Sequence, residues 1–194
     1  MFQLRSFWRT LLSMAMRVSG LKRKLKAESL NSDNGLPFIL GITDQETVKL
    51  DFDKTPFKTV KYWAMRTMKW FKLKGFIILK SSENSYHVVF DKKVSWKENM
   101  HIVAWVCLLS QHKALTKWFL MQCIKEGSTL RVSAKKEKPE PRIVYRYGSQ
   151  DNQIAEFLTY RKIVKSIIAK LKTKTKIDSK TQIPKVSFHG KSSV

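Results

Sequence analysis

Two aspartates two residues apart are the first side chains in this sequence that could do chemistry together. Asp51 and Asp53 stand in Val48-Lys49-Leu50-Asp51-Phe52-Asp53. Val48, Leu50 and Phe52 alternate as on a strand, so the two carboxylates share the opposite face. At that spacing they project about 7 Å apart. They repel each other, and a divalent cation relieves the repulsion. Magnesium or manganese, hard ions that prefer oxygen, fit best. A pair of such ions can align an attacking hydroxyl and a triphosphate for in-line displacement. Further along, the run from Ser81 to Phe90 reads as a polar turn entering a strand that carries His87.

The rest of the chain narrows the chemistry by what it lacks. Cys107 and Cys123 are the only cysteines, both in apolar, helix-like surroundings. They cannot build a zinc or iron–sulfur site, and they read as the reduced thiols of a cytosolic protein. His101, His112 and His189 show no ligand spacing. A rolling-circle nickase needs a His-x-His pair, and Tyr86-His87-Val88-Val89 holds one histidine. There is no phosphate-binding G-x-x-x-x-G-K-[ST] loop. The six tryptophans fall mostly on inward helical faces and read as core.

The elements that must position the aspartates are strand, helix, strand, strand. Thr55 at the N-cap and Pro56 in the first turn open a helix that runs to about Leu73 and ends at Gly75, with Val60, Trp63, Ala64, Met68 and Phe71 inward. Phe76 to Leu79 and Tyr86 to Phe90 are strands around the turn Ser81 to Asn84. Ser95 caps a helix containing Ile102 to Leu109, and Leu115 to Ile124 forms the next. Thr129 to Ser133 and Arg142 to Tyr147 are strands joined by a basic loop. Asn152 to about Lys172 is a helix. Upstream, Phe38 to Ile42 is a short strand after an Asn34-Gly35 turn, and Leu4 to Lys26 is a basic amphipathic helix. The expectation is an α+β fold: a split βαβ sheet with helices on one face, the carboxylates on the other, and flanking N- and C-terminal helices. Residues 1–30 form the basic helix, 36–172 the domain and 173–194 a disordered basic tail.

Leu50-Asp51-Phe52-Asp53 followed by Ser85-Tyr86-His87 resembles the first two motifs of the archaeo-eukaryotic primase superfamily, the catalytic core of primases and primase–polymerases. The first motif is apolar–Asp–apolar–Asp ending a strand; the second is Ser-x-His in a turn and strand, with Ser82 matching an alternative serine position. The resemblance covers Phe38 to Tyr147. It implies an RRM-like core of the small plasmid or virus type, with Asp51 and Asp53 as catalytic ligands of Mg2+ or Mn2+. It also implies that Ser82, Ser85 and His87 meet the triphosphate of the incoming nucleotide. The family's third motif is a further carboxylate, and here the chain departs from the pattern. Glu126, just before the strand Thr129 to Ser133, has the best location as third catalytic and metal-binding residue, with Asp91 as the fallback. The stretch Thr129 to Lys136 is similar to the basic strand pair of smaller members. Its Arg131 and Lys135 alternate onto one face and would clamp triphosphate or template phosphates.

Charge sets the partner. Lys and Arg number 38 against 15 acids, a net +23 over 194 residues. That argues for a polyanion, nucleic acid or an anionic membrane surface. No apolar run approaches the roughly 18 residues that cross a bilayer, and the N-terminus lacks a secretory cleavage pattern. Together with this charge, the resemblance implies a cytoplasmic DNA primase–polymerase acting on single-stranded template and nucleoside triphosphates, with a replicative helicase as a further partner. Phosphate contacts would come from Arg131, Lys135, Lys136, Arg142 and the cluster Lys22 to Lys26. The alternative is a non-catalytic nucleic-acid-binding replication accessory on the same scaffold.

Overall fold

Alternation on the central strands decides the layering. The computed structural model describes residues 25–29, 38–135 and 138–180. Its strands are β1 (Leu25–Ser29), β2 (Phe38–Asp44), β3 (Thr47–Phe52), β4 (Gly75–Ser82), β5 (Ser85–Lys93), β6 (Ser128–Arg131) and β7 (Arg142–Gly148). Its helices, numbered in chain order, are α1 (Phe57–Phe71), α2 (Trp96–Ser110), α3 (Lys113–Lys125) and α4 (Gln153–Lys180). Val48, Leu50 and Phe52 of β3 and Tyr86, Val88 and Phe90 of β5 enter one core with Val60 and Ala64 of α1, Ile102 and Val106 of α2 and Leu115 of α3.

A four-stranded sheet has the order β3-β5-β4-β7, each neighbour antiparallel. β3 and β4 therefore run parallel on either side of β5, joined by α1, which is the expected split βαβ unit. β7 lies on the outer edge of β4. A second, three-stranded sheet has the order β1-β2-β6.

The expectation of helices on one face and an open face opposite is corrected here. Ile77, Leu79 and Val89 point away from the first core into a second one, made with Leu40, Ile42 and Leu130 of the smaller sheet, Val132 just after it, and Ile154, Phe157 and Val164 of α4. Both faces are covered, and the runs Phe76-Ile77-Ile78-Leu79 and Val88-Val89-Phe90 are the continuous apolar signature of such strands. Lys49, on the same strand face as Asp51, has no exposure at all. Its ammonium donates to Asp44 Oδ2 at 2.5 Å and to the Ser128 carbonyl at 2.9 Å.

Several boundaries move. Pro56, not Thr55, holds the N-cap position of α1, and the Thr55 hydroxyl instead donates to the Asp53 carbonyl and pairs with His112 Nε2. Lys72, in the left-handed region at φ 53°, closes the helix before Gly75 is reached. Gly75 opens β4 at the crossing with β7, where a Cβ would stand 2.0 Å from the Ser149 carbonyl oxygen. The Ser95 cap holds: its hydroxyl accepts from the Glu98 amide. Leu25–Ser29 is a strand, although helical spacing carried the N-terminal helix through Lys26; pairing along β2 gives its backbone a full antiparallel register. α4 continues to Lys180, past the expected start of the tail. The rest of that N-terminal helix, the Lys22 to Lys24 part of the basic cluster, the Asn34-Gly35 turn, Lys136 and residues 181–194 lie outside the described residues. Among the described residues no helix is long and apolar enough to cross a membrane.

Candidate functional site

The site begins with the register of β3 on β5. Asp51 sits directly opposite His87, and His87 Nε2 lies 3.5 Å from Asp51 Oδ1. Asp51 is about three-quarters buried, with 24% of its side chain exposed, whereas Asp53 at the strand end is open to solvent. Directly after it, Lys54 takes a left-handed conformation (φ 51°), so the chain turns sharply away from the pair.

Arg131, at the end of β6, completes the centre. One guanidinium nitrogen donates to the carbonyls of Ser133 (2.5 Å) and Pro139 (2.9 Å), and another donates to the Ser81 carbonyl (2.8 Å). Three carbonyls, two from the β6–β7 loop and one from the end of β4, thus hold a cation whose field reaches both aspartates. Burial lowers the Arg131 pKa, and the two carboxylates oppose that shift. Burial pushes the Asp51 carboxyl up to about 7, and the Asp53 charge adds to the rise; Arg131 and Lys138 pull the other way. Burial pushes His87 down to about 3, helped by the charges of Arg131, Arg161 and Lys138, so its imidazole is neutral at physiological pH.

Asp51, Asp53 and Arg131 line one cavity of about 440 Å³, within the range of small-ligand sites. Its other wall is a face of α3: Ala114, Lys117, Trp118, Met121, Gln122 and Lys125 all border it. Sequence reasoning missed this wall. The signal was present, because Lys117 and Lys125 are eight residues apart and so return to one helical face.

The other expected site residues are not all brought here. His87 is buried behind Asp51 rather than on the cavity wall, and its Nδ1 has no hydrogen-bond partner among the described residues. Ser85 is buried, its hydroxyl donating to the Glu83 carbonyl and accepting from the Lys54 amide, so it knits the β4–β5 turn to the turn after Asp53. Ser82 is half-buried and pairs with Ser85 across that turn. Lys135 forms a backbone bridge with Lys138, which fixes Lys138 near the centre. Glu126 is exposed at the C-cap of α3 with φ 52°, and its carbonyl accepts from Gln45. It does not border the cavity, and among the described residues no group of three or more His, Cys, Asp and Glu side chains could hold a metal ion. Asp91 does not substitute. It is fully buried, and its carboxylate accepts from the amides of Asp151, Asn152 and Ile154 and from the Ser149 hydroxyl, capping α4.

Comparison with protein-family models, with curated proteins and with solved structures finds no match to this chain.

Proposed function

We propose that this chain is a small primase–polymerase-type nucleotidyltransferase with an RRM-like core of the archaeo-eukaryotic primase superfamily, adding nucleotides on a single-stranded DNA template. The observation that carries the reading is the joint lining of one 440 Å³ cavity by Asp51, Asp53 and Arg131, with Lys117 and Lys125 on the facing helix. Carboxylates and cations at one cavity suit a triphosphate that arrives with a divalent ion.

Asp51 and Asp53 fit magnesium or manganese. They offer hard oxygen donors, and burial first, then the Asp53 charge, raises the Asp51 carboxyl to about 7; a cation would relieve the like-charge part of that rise. Such an ion is commonly held by one or two carboxylates, with substrate phosphates completing its shell. When bound, it supplies neutralisation of the phosphate charge. Arg131, fixed by its three carbonyl partners, is pre-organised to bind phosphate oxygens without reorganising. Lys117 and Lys125 add charge from α3. Neutral His87 braces Asp51 from behind and acts as a positioning residue. A replicative helicase as partner and a cytoplasmic location belong to the same reading.

The second reading, a non-catalytic nucleic-acid-binding accessory, is favoured by one observation: no third acidic side chain joins the aspartates among the described residues. Incorporation of labelled nucleotide on a single-stranded template, with magnesium or manganese, separates the two. Incorporation that requires the metal supports the enzyme. Tight template binding without incorporation under either metal supports the accessory protein.

A further inference from the structure

The longest charge-biased stretch of the described chain lies outside the cavity. Between Asp53 and Glu83 there are eight cationic residues and no acidic one. Helix α1 occupies the centre of this stretch. On it Lys58, Tyr62, Arg66 and Trp70 recur every four residues, and all four are exposed. Tyr62 is 53% exposed and Trp70 66%. The stripe alternates cation and aromatic over about 18 Å at 1.5 Å per residue. Its first member follows Asp53 by five positions in the chain.

The stripe is built rather than loose. One face of Trp70 stacks on Trp105 of α2, with ring centroids 5.6 Å apart and planes 26° apart, which leaves its outer face to solvent. Arg66 donates to the Tyr62 hydroxyl at 2.8 Å, and its guanidinium carbon lies 5.5 to 6.0 Å from the ring centroids of Tyr62, Trp63 and Trp105. The aromatic and cationic groups thereby hold one another in fixed orientations, so little side-chain entropy remains to be lost on binding.

We infer that this face of α1 is a track for single-stranded nucleic acid, with bases stacking on Trp70 and Tyr62 and phosphates meeting Lys58, Arg66 and the neighbouring lysines. A cationic segment without an acidic residue of its own favours a polyanion, and fixed, outward-facing rings add what a duplex cannot use, since its bases already stack on each other. The inference rests on the nucleic-acid reading above but not on catalysis.

Fluorescence anisotropy of the full-length chain with labelled oligothymidylate tests it. Trp70→Ala and Tyr62→Ala should each weaken binding about tenfold, the ordinary cost of losing one stacking platform, while Trp70→Phe recovers most of the loss. Far-UV circular dichroism checks that each variant is folded, and Tyr62, which is half exposed, provides a variant that leaves the Trp70–Trp105 stack in place. The pair Asp51→Asn, Asp53→Asn should retain oligonucleotide affinity, so loss of addition by that pair with the track intact would separate the two claims. Unchanged affinity in both Ala variants overturns the track while leaving the nucleic-acid reading standing. Absence of oligonucleotide binding in the wild type overturns both. Binding to phosphatidylserine vesicles that is lost in Trp70→Ala, with oligonucleotide affinity unchanged, overturns the track in favour of a membrane surface.

Discussion

Asp51 and His87 face each other across one ladder, and burial moves them in opposite senses. The Asp51 carboxyl rises from 3.8 to about 7, so between those values the folded chain holds a proton that the unfolded chain has released, and stability falls as pH rises. His87 falls from 6.5 to about 3, so between those values the unfolded chain holds the extra proton, and stability rises with pH. The slopes oppose where the windows overlap. Removing one group should therefore unmask the other. In metal-free protein, the Asp51→Asn variant should gain thermal stability relative to wild type as pH rises from 4 to 7. His87→Gln should lose its relative advantage as pH rises from 3 to 6.5. Melting temperature against pH for the three proteins checks this, and parallel profiles would remove the assigned shifts. The aspartate pair was legible in the sequence because its signal is local, two residues on one strand face. The roles expected of Ser85 and His87 were less so: alternation gives a side chain's face, but which face is covered depends on elements far along the chain.

At the scale of elements, the same lesson shows in two acidic residues. Asp91 and Glu126 both looked like candidates for a third carboxylate. Asp91 instead joins the end of β5 to the N-terminus of α4, accepting three backbone amides and a hydroxyl. A buried carboxylate at a helix start satisfies the orphan donors there and meets the favourable end of the dipole. Asp91→Ala should cost about 3 kcal/mol or more, since it removes a cap and leaves buried donors unpaired. Urea denaturation measures it, and a loss below about 1 kcal/mol would mean that α4 is anchored by Ile154 and Phe157 alone. Glu126 takes a left-handed C-cap, a position usually given to glycine. Helices α1 to α3 and strands β3 to β7 follow from periodicity, caps and turns within a few residues. The second sheet does not, because β2 and β6 are 84 positions apart from the last residue of one to the first of the other and short apolar runs do not name their neighbours.

For the whole molecule, charge and layering meet. Two cores share the central sheet, and most of the cationic side chains of α1, α3 and the first half of α4 are left on the outside. A net +23 should make nucleic-acid binding strongly salt-dependent. Each phosphate neutralised on a single strand contributes about −0.7 to the slope of log K against log salt, so a slope of about −2 or steeper is expected from three or more contacts. Affinity titrations across a salt series give it directly, and a flat line would point to another anionic partner. The charge excess is legible in the composition, but the exposed ring faces of Tyr62 and Trp70 are not, because they depend on α2 packing behind α1. The central claim, that Asp51 and Asp53 serve nucleotide addition, is met most directly by a primer-synthesis and extension assay on single-stranded DNA with manganese or magnesium. The account predicts metal-dependent products from the wild-type chain and none from a folded Asp51→Ala, Asp53→Ala double variant. Equal product from that variant would contradict it.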